Sequence, residues 1–256
     1  MNYYIAKIAV RQCLADIRIN DVPIFRRVVD GDLTVQSPIN YLIESSGQQN
    51  LTVQLLPVIG DVGLRQGAMC SVELWRYDGS GLKIIPLEQV GSSEIVVGEG
   101  NQIMPYKHDA ILFYADVSHR ISRWGDCVAL ENNRQTANAA GEFFEMIGKL
   151  LANREYDRYT QLISKRENDI CTALSLNEKE TRRRNEMLFG LLGKGLEWQP
   201  MRGSLRLMLY ANKRVATIVD SDMKSALKFV NETSGEILAI DLLIGKKKGS
   251  DIFCIV

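Results

Sequence analysis

A change in the spacing of apolar residues near residue 130 most constrains what this chain can fold into. Before it, apolar residues alternate with polar ones in short runs that Gly, Pro, Asn and Asp interrupt, as in β-strands. After it, apolar residues recur at helical spacing until about residue 193, and then the alternation returns. This order predicts a two-part α+β protein, with an antiparallel β-sandwich-like domain followed by an α+β domain.

Residues 1–131 carry many short alternating runs, which predict the β-sandwich-like domain. Asn20 and Asp21 separate two such runs and predict a hairpin turn, because both residue types accept a positive φ. Ser37, which a proline follows, predicts the N-cap of one short helix. A further strand is predicted over residues 82–87, after an Asp-Gly turn.

Residues 136–256 are predicted to form the α+β domain, which the polar segment Glu131–Gln135 joins to the first. Helical spacing begins at about the start of this range and predicts a break near Asn153. Asn177 followed by Glu180 is a capping-box pattern that predicts the start of another helix. Alternating runs then predict a curved antiparallel sheet after the helices.

Helices followed by a meander of antiparallel strands is the element order of the nuclear transport factor 2-like folds. The C-terminal domain resembles those folds in this order of elements. The resemblance implies a curved sheet that wraps around helices to form a cone, with a pocket inside. Because that fold serves both enzymes and binding modules, it does not decide function.

Charge, cysteine spacing and hydropathy limit the classes of function that we expect for this chain. Lys plus Arg and Asp plus Glu both total 31, so the net charge is zero and the strong positive field of a nucleic-acid binder is not expected. Five widely spaced cysteines are typical of free thiols in a reducing compartment. No apolar stretch is long enough for a membrane helix, and Lys7 and Arg11 interrupt what would be a signal-peptide core. We therefore predict a cytoplasmic protein that binds neither membrane nor nucleic acid.

No metal or cofactor site is predicted. The two histidines, His108 and His119, stand eleven residues apart around a predicted strand, which is not a metal-ligand spacing. The run Arg182–Arg184 is preceded at four-residue distance by Glu178 and Glu180, so it predicts a solvated helix face with ion pairs.

Asp241 is the one candidate catalytic residue. It lies in the apolar run Ile237–Ile244, which predicts a central strand, and burial of a carboxylate raises its pKa and favours a role as acid or base. The alternatives are an ion pair with Arg206, Lys213 or Arg214, or an exposed position at a sheet edge.

Four residues are candidates for binding. Trp75 and Tyr77 alternate in one strand, and Trp124 follows Arg123 in a predicted turn. These residue types anchor protein interfaces and sugar platforms. They are also common in the core and at the rim of β-sandwiches.

Two functions remain open. The first is a non-catalytic cytoplasmic protein-binding module with a single protein partner, such as a bacterial immunity-type protein or an assembly partner. The alternative is a small-molecule-binding protein or enzyme that uses a cone-shaped pocket in the C-terminal domain, with Asp241 as acid or base. The sequence does not indicate an oligomeric state.

Overall fold

A computed structural model describes residues 1–79, 84–99 and 103–256 of the chain. Antiparallel sheets dominate, with 43% of residues in strands and 22% in three helices, which confirms the broad α+β class. By internal contacts the chain divides into two compact units, residues 1–121 and 122–256.

The first unit is one six-stranded sheet in which every strand pair is antiparallel. Its strands are β1 (Asn2–Ile19), β2 (Val22–Pro38), β3 (Gly47–Leu56), β4 (Met69–Asp78), β5 (Ile85–Val96) and β6 (Lys107–Ala115). They follow the order β5-β4-β1-β3-β6, and β2 also pairs with β1.

A bend in β1 lets one strand serve two parts of this sheet. β1 pairs with β4 over Asn2–Arg11 and with β3 over Leu14–Ile19. Gln12 lies between these two segments with a φ of 51°, and the register with β2 shifts at the same place. Since β2 pairs with both segments, the sheet stays continuous through the bend and curls into a half-barrel.

The two facing sheets expected from the sequence are therefore one curled sheet. The alternating pattern separates an inner from an outer face, but it does not show whether consecutive strands belong to the same sheet. Strands β5 and β6 still approach each other across the interior of this sheet. A Cβ added at Gly91 of β5 would lie 3.0 Å from Cδ1 of Ile111 in β6. Ile8, Val53 and Val72 are fully buried in this interior.

Two local predictions for this unit have different outcomes. The hairpin turn is confirmed, since Asn20 and Asp21 have φ values of 52° and 61°. The helix predicted to start at Ser37 is wrong, because β2 continues through Pro38 and only a single 3₁₀ turn, Asn40–Leu42, follows. The buried Asn40 side chain accepts a hydrogen bond from the Tyr4 amide at 2.7 Å, which ties this turn to β1.

One further prediction is tested only in part. The strand predicted over residues 82–87 begins outside the described residues, and its described portion is the start of β5.

The second unit contains three helices and two small sheets. The helices are α1 (Arg134–Ala152), α2 (Tyr156–Leu174) and α3 (Glu178–Leu192). The strands are β7 (Glu197–Gln199), β8 (Arg206–Tyr210), β9 (Val215–Val219), β10 (Lys228–Asn231), β11 (Glu236–Ala239), β12 (Ile244–Lys246) and β13 (Phe253–Ile255). They form one sheet in the order β11-β10-β7 and another in the order β13-β12-β9-β8, where the resemblance implied a single curved sheet.

Several sequence signals in this unit are confirmed. A break at Asn153 separates α1 from α2. Asn177 and Glu180 form the predicted capping box at the start of α3. Residues 122–131, which we assigned to the first domain, belong to the second unit, because the Val128 amide donates to a main-chain oxygen of β12 and the Leu130 amide to one just before β9.

Helix α1 packs closely against β7 at a glycine. The Trp198 indole lies over the α1 backbone at Gly148, where an added Cβ would be 2.5 Å from Cε2 of the ring. Gly141, two turns earlier on the same helix, has only the flexible Met201 methyl group near it, at 3.9 Å. The helix therefore needs a glycine at the first position and not at the second.

We predict that Gly148→Ala lowers the free energy of unfolding by about 1–3 kcal/mol, because the methyl group must displace a packed indole. Gly141→Ala, the matched control, should leave stability unchanged or raise it by up to about 1 kcal/mol through helix propensity. Urea unfolding monitored by circular dichroism measures both. Equal stability of Gly148→Ala and wild type would show that Trp198 does not pack there.

Candidate interaction surface

The outward side of β6 exposes large apolar side chains. This strand lies at one end of the strand order, and its side chains alternate between the interior and solvent. Phe113 and Ala115 point inward and are buried, whereas Leu112 and Tyr114 are 64% and 67% exposed. Single exposed apolar residues are ordinary on protein surfaces, but neighbouring ones on a flat strand are typical of contact surfaces.

The neighbouring strand β3 extends this surface with uncharged side chains. Gln48 pairs with Tyr114 and Asn50 pairs with Leu112 in the antiparallel register. His108, two positions before Ala110 on the same side of β6, is exposed and stacks on Tyr106 with 5.8 Å between ring centroids. The β3–β6 face is defined here by six residues: Gln48, Asn50, Tyr106, His108, Leu112 and Tyr114.

Hydrogen bonds hold β6 in place beneath this face. Ser93 of β5 donates to the Asp109 carboxylate at 2.7 Å. Beyond the other end of β6, the Asp116 amide donates to the Tyr4 hydroxyl at 2.9 Å. Since both ends are anchored, the outward side chains are presented by a strand that is already ordered, which reduces the entropy lost on binding.

The chemistry of the β3–β6 face suits contact with protein. Its defining residues include no Lys, Arg, Asp or Glu, so it has no fixed charge to attract a phosphate backbone. Tyrosine supplies a large apolar area and a hydroxyl group at a low entropic cost, and is enriched at protein interfaces. The amides of Gln48 and Asn50 add hydrogen-bond donors and acceptors without charge.

The structure does not place Trp75 and Tyr77 together on an exposed surface. The Trp75 indole is half-buried, donates to Glu73 at 2.8 Å and is covered by the Lys7 ammonium group 4.4 Å from its ring centroid. Tyr77 is buried. The β4–β5 register shifts between Leu74 and Trp75 and again between Arg76 and Tyr77.

Arg123 and Trp124 are buried side chains of the second unit. Arg123 donates to the main-chain oxygen of Val256 at 2.9 Å, and its guanidinium carbon lies 5.6 Å from the Trp124 ring centroid. The pair thus contributes to packing within residues 122–256. Among the four aromatic and arginine candidates, Trp75 retains the most exposure.

Asp241 is exposed on the connection between β11 and β12. The prediction of one central strand over Ile237–Ile244 is wrong, because the chain leaves one sheet after Ala239 and enters the other at Ile244. Ile240 and Leu242 alternate into the core on both sides of Asp241, so its side chain points outward. The burial that motivated an acid or base role is not present.

The second unit also has an open groove of about 420 Å³ on the outer side of α1. It is lined by Glu142, Glu145, Met146, Lys149, Leu150, Glu155 and Arg158. Lys149 lies 3.7 Å from Glu145, and Arg158 lies 2.5 Å from Glu155, so the charges at its rim are largely paired. Asp241 is not among the lining residues.

Metal chemistry has no obvious location in the described part of the chain. Within residues 1–79, 84–99 and 103–256, no cluster of three or more His, Cys, Asp or Glu side chains is arranged to hold an ion. His119 lies 2.8 Å from the Ile43 oxygen, whereas His108 belongs to the β3–β6 face. The two histidines therefore have separate surroundings.

Comparison of the chain with protein-family models, with curated proteins and with solved structures finds no match. Among the residues with described coordinates, no helix has the length and apolar character needed to span a membrane.

Burial suppresses thiol chemistry at three cysteines. Loss of solvent raises the pKa of Cys13 to about 11, that of Cys70 to about 12 and that of Cys127 to about 11. Their nucleophilic thiolate forms are therefore scarce at neutral pH.

We predict that a soluble disulfide reagent near neutral pH modifies the half-buried Cys171 first in the native protein. Cys254 is also half-buried, but burial raises the pKa of its thiol, so it should react more slowly. Cys13, Cys70 and Cys127 should react only after denaturation, because they are both buried and protonated. Mass spectrometry of peptides after timed labelling provides the measurement. Rapid native labelling of Cys70 would contradict the described interior.

Proposed function

We propose that this protein is a non-catalytic protein-binding module and that the β3–β6 face is its binding surface. The observation that carries the proposal is the pair Leu112 and Tyr114, which are each about two-thirds exposed on an anchored strand. An ordered surface that leaves such side chains in water gains free energy when a partner covers them.

Binding at this face is proposed to depend mainly on apolar contact. Tyr114 is the proposed anchor, since tyrosine is over-represented among residues whose truncation costs roughly 2 kcal/mol or more of binding energy. Gln48 and Asn50 would form the surrounding polar contacts. Because the face has no fixed charge, affinity is expected to change little with salt concentration.

The proposed partner is a protein in the same compartment, which we take to be the cytoplasm. An immunity-type protein that blocks a toxin, or an assembly partner, would need a rigid surface of this kind and no catalytic group. We also propose that the two compact units are separate domains, since each has its own extensive internal contacts.

The competing proposal is a small-molecule-binding protein or enzyme with a pocket in the second unit. The cone of the nuclear transport factor 2-like folds and an acid or base role for Asp241 belong to this proposal. Its support is the groove beside α1, where charged residues surround Met146 and Leu150. The groove is open and does not include Asp241, so we rank this function second.

We predict that the double variant Leu112→Ser, Tyr114→Ser recovers at least about tenfold less of its partner from native lysate than wild type does. Both positions are exposed, so the melting temperature should stay nearly unchanged. Affinity purification with quantitative mass spectrometry, repeated at two salt concentrations, provides the measurement.

The matched control is Ile237→Ser, which removes an equally exposed apolar side chain from β11 in the second unit. This variant should recover the partner as wild type does. Equal recovery by the double variant would remove the β3–β6 face from the proposal. A metabolite that raises the melting temperature of wild type but not of Asp241→Asn would instead support the competing function.

A further inference from the structure

Helix α3 leaves most of its surface uncovered. Of the 15 residues of Glu178–Leu192, only Leu192 is buried. Three contacts orient the inner side: Arg184 with the buried Glu167 at 3.3 Å, Thr181 Oγ1 with Cys171 Sγ at 2.8 Å, and a ring stack with α2. That stack joins Tyr156 and Phe189 with 4.1 Å between centroids.

These contacts also fix which side chains point outward. Residues at i, i+4 and i+7 share one side of a helix, so the exposed side is built on Lys179, Arg183, Met187 and Gly190, with Glu186 beside them. We call these five residues the α3 stripe. Met187, in the C-terminal half of the α3 stripe, is 62% exposed.

The ion pairs expected within α3 are not formed. Glu180 accepts a hydrogen bond from the Asn177 amide in the capping box, and Arg184 turns to Glu167. In the described structure Arg183 and Glu186 have no salt bridge with each other or with another residue. Two opposite charges on the same helix surface therefore remain open to an external partner.

The charges of the α3 stripe are complementary to those of a second copy that runs in the opposite direction. If two α3 helices lie antiparallel about a two-fold axis between positions 184 and 185, Arg183 of each copy faces Glu186 of the other. An interface of this type uses one surface patch twice and satisfies both charges.

Gly190, at the C-terminal end of the α3 stripe, favours the close approach of a second helix. Nothing lies within 4 Å of a Cβ added there, so internal packing does not require a glycine. A glycine in a helix costs roughly 1 kcal/mol relative to alanine. In the antiparallel arrangement, this position faces Lys179 of the second copy, where a missing side chain lets the two helices come closer.

We propose that the protein self-associates through the α3 stripe as an antiparallel, two-fold symmetric pair. The zero net charge of the chain removes long-range repulsion between copies. A contact made by one short helix from each copy is smaller than the roughly 800 Å² per partner of a standard interface, so the dimer is weak and depends on concentration. The proposal is independent of the β3–β6 face.

Sedimentation velocity of the full chain over a concentration series at low salt provides the test. Wild type shifts from monomer to dimer as concentration rises. Arg183→Glu alone and Glu186→Arg alone each weaken the dimer at least about tenfold, because both symmetric pairs become repulsive. The double variant with the two charges exchanged restores it.

Two further variants separate this proposal from a general effect of surface charge and from a loss of helix stability. Glu94→Arg, an exposed charge reversal in the first unit, leaves the dimer unchanged. Gly190→Ala raises the melting temperature through helix propensity yet weakens the dimer.

Three outcomes would overturn the proposal: a monomer at every concentration, a dimer that persists in both single variants, or a double variant that stays monomeric. Loss of the dimer in Leu112→Ser, Tyr114→Ser, with the α3 variants unaffected, would assign self-association to the β3–β6 face instead. Saturable binding of an acidic helical peptide or of oligo(dT) to monomeric wild type would assign the α3 stripe to another occupant.

Discussion

The first unit depends on the bend of β1 at Gln12. A φ of 51° is uncommon for a residue with a side chain and costs on the order of 1–2 kcal/mol. The same bend allows β1 to hydrogen bond with β4 along its first half and β3 along its second half, while β2 follows both. The long hydrogen-bonded ladders and the interior they enclose offset that local cost.

The position of β6 follows from the same bend. β6 pairs with β3, which lies along the second half of β1. The curl of the sheet brings the end of β6 to the start of β1, where the Asp116 amide donates to the Tyr4 hydroxyl. The side chains on one side of β6 pack in the interior of the sheet. The other side has no covering element among the described residues of this unit. Leu112 and Tyr114 are exposed for that reason.

Most features that neighbouring residues signal could be predicted from the sequence; the helix start at Ser37 is the exception, because Pro38 pairs with Ile5 and stays in β2. The Asn20–Asp21 turn, the break at Asn153 and the capping box at Asn177 are all local and all confirmed. Features that depend on distant residues could not be predicted. The bend at Gln12 has no glycine or proline to indicate it. The buried Asn40 side chain is satisfied by the main chain of β1, since it accepts from the Tyr4 amide and donates to the Asn2 oxygen.

The candidate site was missed for a related reason. Residues 111–115 are apolar on both sides, a pattern that indicates a fully buried strand, but no element covers the outward side of β6 among the described residues of this unit. The same error affected Asp241, whose apolar neighbours lead from one sheet to the other. In both cases burial was decided by which elements lie alongside, and not by the hydrophobicity of the run itself.

Hydroxyl-radical footprinting of the chain, alone and in the complex isolated from its native host, locates the side chains that a partner covers. We expect oxidation of Tyr106, Leu112 and Tyr114 to fall strongly in the complex, while Ile237 is oxidised equally in both samples. Unchanged oxidation of the β3–β6 face, with protection concentrated at Met146 in the α1 groove, would contradict it.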